Sequence, residues 1–285
     1  MKKILVPTDF SQCAERASSV ALALARKTQA EVHFLHIASV PTDWTTLVNS
    51  SDMYPDVTKM VKHCQVKLDQ LDSQADSENI SARKFLVYNQ NYRGILQHIK
   101  NNNIDLVVMG SQGASGIKEF LIGSNTQKVV RLSPVPVLVI KDNLPEDFQV
   151  KNIVFASDFR EEVMDQFKVF AEFARVMDAK LLLLFVNTPS NFTDTLTTKI
   201  RMGNYAMHAP GVVDDTYVFN YYNFQEGLEK FCAENEIDII SMITHGGSSG
   251  VHLFNNSLTE SMVNHVDIPL LTMHFSYAEA NTLPD

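Results

Sequence analysis

Residues 2–37 read "KKILVPTDFSQCAERASSVALALARKTQAEVHFLHI", and residues 151–186 read "KNIVFASDFREEVMDQFKVFAEFARVMDAKLLLLFV". The two stretches align without a gap, so that Asp9 corresponds to Asp158 and Phe10 to Phe159. Each stretch has a short β-branched run, a segment with helical spacing of apolar residues, and a second apolar run. Strand, helix and strand in this order form a right-handed βαβ unit with parallel strands.

The similarity continues further along the chain. "NIDLVVMGSQG", residues 103–113, matches "EIDIISMITHG", residues 236–246, and this second copy has a shorter segment before it. The length difference falls after the second strand, near a polar helix at 56–72, where insertions cost little. Because 285 residues suit two domains of ordinary size, we predict one domain at 1–146 and another at 147–285.

Strands and helices alternate within each copy. The β-branched runs of the first copy predict strands at 3–7, 31–37, 83–88, 104–109 and 135–140. Ser11 is placed to cap the first helix. The predicted fold class is therefore α/β, with two repeated domains that each contain a five-stranded parallel sheet covered by helices on both faces.

Composition excludes several classes of function. The net charge is −9, and no local Lys/Arg cluster offsets it, which argues against nucleic-acid binding. No apolar run approaches the ~18 residues of a membrane span, and the N-terminus reads as a first strand rather than a signal peptide, so we expect a soluble cytoplasmic protein. Three scattered cysteines, without CxxC or zinc spacing, predict neither disulfides nor a metal site.

A glycine cluster follows the fourth strand, with the spacing Gly110-x2-Gly113-x9-Gly123-Ser124. It is neither a Walker A loop nor a Rossmann fingerprint, because it lacks GxxxxGK and does not follow the first strand. Glycines let backbone N–H groups approach an anion, and a helix that opens at Gly123 and Ser124 favours negative charge at its N-terminus. The cluster therefore predicts a phosphate cradle, although it is also compatible with a simple strand-to-helix turn.

The second copy has lost part of this cluster. It has Ile243 in place of Gly110 and Asn256 in place of Gly123, while Gly246 and Ser257 remain. β-branched Ile is strained at positive φ, so we interpret Gly110 as leaving space for a ligand rather than as making an unusual turn. Asn tolerates the left-handed region, which Gly123 would then occupy. The two copies are thus expected to share a fold but not a binding site.

These features resemble the universal stress protein family in a tandem, two-domain form. The resemblance is carried by "ILVPTDFS", "FLHI", "IDLVVMG" and the G-x2-G-x9-G-S motif. It implies a Rossmann-like fold of the adenine nucleotide alpha hydrolase-like type, in which this motif marks members that bind ATP. It also implies dimerisation through the fifth strand. We therefore expect the apolar segments 135–140 and 268–274 to form an internal pseudo-dimer, with a homodimer as an alternative.

The resemblance implies a role for each matching residue. Asp9 would lie near the nucleotide, and the backbone around Ile37 would meet the adenine. The predicted nucleotide-binding set is Pro7, Asp9, Ile37, Met109, Gly110, Gly113, Gly123, Ser124 and Asn125. The predicted cofactor is ATP, with Mg²⁺ left open, and no catalytic or metal-binding residue is assigned.

Some of these residues have simpler interpretations. A cap or helix-dipole role for Asp9 is nearly as good as a ligand role. We expect His36 to be a hydrogen-bonded core histidine and Lys128 to be solvated. Three functions stay open at this point: an ATP-binding regulatory protein, a slow ATPase or adenylyl transferase, and a ligand-free dimerisation scaffold. The regulatory protein is favoured because no paired base and nucleophile stands out.

Overall fold

A computed structural model describes residues 1–44, 53–112, 123–145, 148–245, 262 and 266–275. The chain divides into two compact units, Met1–Leu144 and Pro145–Asp285, called here the N-terminal and the C-terminal unit. Each unit is built from strands that alternate with helices.

The N-terminal unit contains a parallel sheet with the strand order β3-β2-β1-β4-β5. Its strands are β1 (Lys3–Pro7), β2 (Glu31–Ala38), β3 (Ala82–Tyr88), β4 (Leu106–Gly110) and β5 (Val137–Ile140). Its helices are α1 (Gln12–Thr28), α2 (Pro55–Ser77), α3 (Tyr92–Asn102) and α4 (Ser124–Leu132). The strand order reverses between β1 and β4, which is where parallel α/β sheets bind ligands.

The C-terminal unit repeats this topology with the order β8-β7-β6-β9-β10, again all parallel. Its strands are β6 (Asn152–Ala156), β7 (Lys180–Asn187), β8 (Val213–Asn220), β9 (Ile239–His245) and β10 (Leu270–Phe275). Its helices are α5 (Met164–Met177), α6 (Thr195–His208) and α7 (Phe224–Glu234), with 3₁₀ turns at Glu161–Val163 and Pro189–Asn191.

Burial explains why the central strands are continuous apolar runs. Every residue of β4 and β5 is buried, and successive side chains of a strand point to opposite faces of the sheet. Both faces are therefore covered, as in other parallel sheets. The predicted α/β fold of two five-stranded parallel sheets is confirmed.

A matched pair of aspartates anchors the first strand of each unit. In the N-terminal unit, the backbone amides of Lys2 and Lys3 donate to Asp105 Oδ2 at 2.5 and 3.0 Å. In the C-terminal unit, the two amides at the start of β6 donate to Asp238 Oδ2 at 2.7 and 2.8 Å. These bonds give a structural reason for the aspartate that both copies of the sequence keep.

The first helices of the two units begin differently. Ser11 caps α1 as predicted, because its Oγ accepts a hydrogen bond from the amide of Ala14 at 3.3 Å. The corresponding position in the C-terminal unit is Arg160, which has no such cap, and the next three residues form a 3₁₀ turn before α5. This change lies at the edge of the sheet where the candidate site is found.

Candidate functional site

A cavity of about 360 Å³ opens at the carboxyl ends of β1, β2 and β4 in the N-terminal unit. Eight of the nine predicted site residues line it, and the ninth, Gly113, lies outside the described residues. The eight are Pro7, Asp9, Ile37, Met109, Gly110, Gly123, Ser124 and Asn125. The fold thus brings together residues that lie more than a hundred positions apart in sequence.

The turn after β1 places Asp9 at the cavity. Phe10 has a positive φ of 61°, and its amide donates to Thr8 Oγ1 at 3.1 Å, which holds this sharp turn. Asp9 is exposed, and its Oδ1 accepts a hydrogen bond from the amide of Ser11 at 3.1 Å. The N-cap of α1 is Ser11 rather than Asp9. The carboxylate of Asp9 therefore supports the turn and also faces the cavity.

Gly110 has a different role from the one expected. A Cβ atom at this position would lie 2.9 Å from Cys13 Sγ and 3.1 Å from the backbone carbonyl carbon of Cys13. The glycine therefore lets the first turn of α1 lie close against β4, and its missing side chain does not create space for a ligand. The interpretation of Gly110 as ligand space is wrong, although its backbone does line the cavity.

Gly123 is the residue at which α4 begins. It is the N-cap, with φ −56° and ψ 135°. The expected left-handed conformation is therefore wrong, and any residue could adopt the backbone conformation of Gly123. Its amide donates to the carbonyl of Ser111 at 2.9 Å. Ser124 and Asn125 follow as exposed residues of the first turn, where backbone N–H groups have no acceptor within the helix. This end of the cavity is therefore suited to an anion.

His36 is a cavity residue that the sequence analysis assigned to the core. Its Nδ1–H donates to the carbonyl oxygen of Thr8 at 2.8 Å, and its ring lies 4.5 Å from that of Phe10. It is half-buried because β2 ends here, and it lines the cavity. With Nδ1 donating, the neutral ring carries an acceptor at Nε2. Its position next to Ile37, near the carboxyl end of a strand that pairs with β1, could have identified it as a cavity residue from the sequence.

Other lining residues also escaped prediction. They are Thr8, Ala14, Leu35, Ile95, Gln112 and Thr126. Leu35 and Ile95 supply apolar surface, whereas the hydroxyl of Thr126 donates to the carbonyl of Gly110 at 3.0 Å. Ile95 comes from a helix, and no local pattern marks which helical residue will reach a strand end.

Lys128 is exposed, as expected, and its Nζ also lies 4.9 Å from the centre of the Tyr92 ring. The amide of Tyr92 in turn donates to Asn125 Oδ1 at 3.2 Å. Because Asn125 lines the cavity, this lysine and tyrosine lie next to the cavity mouth.

The corresponding edge of the C-terminal unit is closed by protein. Ala156, Phe185 and Val186, which correspond to Pro7, His36 and Ile37, are all buried, whereas those three residues of the N-terminal unit are half-buried. The strand ends that form a cavity wall in one unit are therefore part of the core in the other.

An ion pair and a tyrosine complete this closure. Asp158, the counterpart of Asp9, is only 6% exposed, and its Oδ2 lies 2.7 Å from Arg160 Nε. Tyr205 of α6 donates its hydroxyl to the carbonyl of Arg160. Burial, together with the charge of Asp158, raises the pKa of Tyr205. Ile243 is buried at 3% exposure, and Asn256 lies outside the described residues.

Within the described ranges, no three His, Cys, Asp or Glu side chains are grouped to hold a metal ion. Cys13, Cys64 and Cys232 are free and buried, and burial raises the pKa of Cys232 to about 12. None of the described helices is both long enough and apolar enough to cross a membrane.

Comparison with known proteins gives relatives in the universal stress protein family. The N-terminal half, residues 1–141, matches the model of the universal stress protein family. Universal stress protein YxiE of Bacillus subtilis is 30% identical over 145 residues, which are 49% of this chain and 98% of the relative. Universal stress protein MJ0577 of Methanocaldococcus jannaschii is 28% identical over 153 residues, covering 49% of this chain and 94% of the relative.

Solved structures extend the similarity of fold to the whole chain. A universal stress protein from Archaeoglobus fulgidus superposes with a TM-score of 0.72 at 20% identity, covering 95% of this chain and 98% of that one. A putative universal stress protein from Pseudomonas aeruginosa gives a TM-score of 0.68 at 14% identity, covering 96% and 93%. With the curated relatives matched over almost their full length, the chain belongs to the universal stress protein family.

Proposed function

We propose that the N-terminal unit binds an adenine nucleotide, ATP, and that the chain acts as a cytoplasmic nucleotide-responsive regulatory protein. The observation that supports this proposal is the cavity that gathers eight of the nine residues of the predicted set. Three described residues of the glycine motif that the family resemblance connects with ATP, Gly110, Gly123 and Ser124, line this cavity.

The chemistry of the lining suits the parts of a nucleotide. Leu35, Ile37 and Ile95 offer apolar surface for a base, and the N-terminus of α4 at Ser124 offers amides for phosphates. The carboxylate of Asp9 is an acceptor for ribose hydroxyls. About 360 Å³ lies within the usual range of small-ligand sites. Because the chain has a net charge of −9, such local groups must hold the anion.

The test is a titration of the whole chain with ATP by calorimetry. Gly123→Leu adds a side chain at the cavity without straining the backbone, because φ is −56°. We expect affinity to fall at least about tenfold, or ~1.4 kcal/mol. Gly203→Leu is the matched control, since its Cβ would meet nothing within 4 Å on the exposed side of α6. An unchanged affinity in Gly123→Leu, or no ATP binding by the wild-type chain, would contradict the proposal.

A further inference from the structure

Two cations lie close to the ring of Tyr92 beside the cavity mouth. Lys128 Nζ lies 4.9 Å and the guanidinium carbon of Arg93 6.0 Å from the centre of the Tyr92 ring. Arg93 Nε also donates to the Tyr92 hydroxyl at 3.4 Å. This hydrogen bond, together with the charges of Arg93, Lys128 and Arg131, lowers the pKa of Tyr92. We call Tyr92, Arg93, Lys128 and Arg131 the basic cluster.

The basic cluster is continuous with the cavity. The amide of Tyr92 donates to Asn125 Oδ1 at 3.2 Å, and Asn125 lines the cavity. Along α4, Ser124, Lys128 and Arg131 are spaced i, i+4 and i+7, which places them on one face of the helix. That face leads from the anion-suited end of the cavity directly past the two cations.

These cations are not accounted for by ion pairs. In the part of the chain that the structure describes, no carboxylate lies within ion-pair distance of Arg93, Lys128 or Arg131. Other exposed cations of this unit do have such partners, for example Arg83 with Glu31 at 3.0 Å. In a chain of net charge −9, three unpaired cations in one place form a local positive region.

The sequence repeat shows that this region is not a general feature of the fold. At the aligned positions the second copy carries Gln225, Glu226, Ser261 and Asn264. The cations and the tyrosine therefore occur in the copy that keeps the glycine motif, and none of them occurs in the other copy.

We propose that the basic cluster makes the site discriminate nucleotides by phosphate number, so that ATP binds more tightly than AMP. This inference rests on the proposed function, since it concerns the same cavity. The end of α4 at Ser124 meets the first phosphate, and each further phosphate extends negative charge along the face that carries Lys128 and Arg131. Coulomb attraction to exposed cations is modest and screened by salt, so the preference weakens as ionic strength rises.

The experiment measures the dissociation constants of ATP and AMP for the full chain at low and high salt. The test variant is Lys128→Met with Arg131→Gln. The control is Lys199→Met with Arg201→Gln, which removes the same two charges from exposed positions on α6. We expect the test variant to bind ATP about fivefold to tenfold more weakly at low salt. AMP binding should change less than twofold, and the control should match the wild type.

Three results would overturn the inference, and they differ from one another. Equal weakening of ATP and AMP would assign the two cations a structural role. Unchanged ATP affinity in the test variant would remove them from phosphate recognition while leaving the proposed function intact. Absence of binding of either nucleotide to the wild-type chain would overturn the proposed function and this inference together.

Discussion

The turn after the first strand has the same backbone conformation in both units, but it is exposed to a cavity in one unit and buried in the other. Phe10 and Phe159 both adopt a positive φ, 61° and 54°, and each amide donates to a hydroxyl two residues earlier. An aspartate precedes each phenylalanine. Asp9 is exposed and faces the cavity of the N-terminal unit, whereas Asp158 is buried and forms an ion pair with Arg160. Both units therefore share the turn, which lines a cavity in the N-terminal unit and is buried in the C-terminal unit.

The glycine that distinguishes the two copies acts through a helix. Gly110 lets the first turn of α1 contact the end of β4. Where Ile243 replaces it, the corresponding turn is a 3₁₀ turn and α5 begins at Met164. We infer that the larger side chain and the 3₁₀ start of the helix are linked, and that this local repacking accounts for the burial of Asp158 and Val186.

The comparison predicts that the two units bind nucleotide unequally. At saturation we expect one nucleotide per chain, with the C-terminal unit about a hundredfold to a thousandfold weaker, or ~3–4 kcal/mol. The reason is that Asp158 and Val186 are buried where a ligand would have to enter. Equilibrium dialysis with radiolabelled ATP gives the stoichiometry. Two sites of similar affinity would break the comparison.

A second difference between the units is a buried histidine pair of the N-terminal unit, whose aligned positions in the C-terminal unit carry no histidine. His33 Nδ1 lies 2.9 Å from His98 Nε2, and His33 Nε2 lies 2.7 Å from Glu31 Oε1. Burial lowers the pKa of both His33 and His98, so both rings are neutral at pH 7. The carboxylate of Glu31 can only accept, so neutral His33 donates to it from Nε2 and accepts the Nε2–H of His98 at Nδ1. The aligned pair in the C-terminal unit is Leu182 and Phe231, which cannot titrate.

We predict that acid destabilises the N-terminal unit through this pair. Burial, with the charge of His33 adding to it, lowers the pKa of His98 from 6.5 to about 4, and burial also lowers the pKa of His33 against the opposing effect of Glu31. Below pH 6.5 the unfolded chain takes up a proton that folded His98 does not. Stability is therefore full above pH 6.5 and falls by about 3 kcal/mol as the pH drops to 4.

Urea unfolding at pH 7 and pH 5 measures this effect. Trp44 is the single tryptophan of the chain and lies in the N-terminal unit, so its fluorescence reports that unit. The double variant His33→Leu with His98→Phe copies the C-terminal unit and should lose much less stability at pH 5. Exposed His63→Gln is the control and should behave as the wild type. Equal acid sensitivity in the double variant would show that other groups cause it.

The fold could be predicted from sequence further than the site. The short β-branched runs predicted the strands of the N-terminal unit to within two residues, because strands that are buried on both faces are continuous apolar runs. Ile37 and Asn125 were found through a family resemblance. Ile95 and His36 were missed because their place at the cavity depends on how a helix and a strand end pack. The purpose of Gly110 was misread because a sequence does not show where an absent Cβ would point.

Gly110 offers a direct test of the corrected interpretation. Gly110→Ala places a Cβ 2.9 Å from Cys13 Sγ and 3.1 Å from helix backbone, so α1 must shift. We expect a loss of about 2 kcal/mol in the unfolding free energy of the N-terminal unit, followed by Trp44 fluorescence in urea. The control Gly203→Ala has open space on α6 and should be neutral or stabilising. An unchanged unfolding free energy in Gly110→Ala would contradict the packing role and would support the earlier interpretation that this glycine leaves space for a ligand.

The smallest expected effect concerns the closure of the C-terminal unit. Tyr205 is fully buried and donates its hydroxyl to the carbonyl of Arg160. Tyr205→Phe leaves that acceptor without the bond and should cost the C-terminal unit about 1 kcal/mol, measured by amide hydrogen exchange in α6. Tyr222→Phe is the control, since Tyr222 is 85% exposed. ATP affinity should be the same in both variants, because Tyr205 belongs to the C-terminal unit, which we expect to contribute little to ATP binding. A weaker ATP affinity in Tyr205→Phe alone would mean that the closed edge contributes to nucleotide binding, and the two edges would no longer be independent.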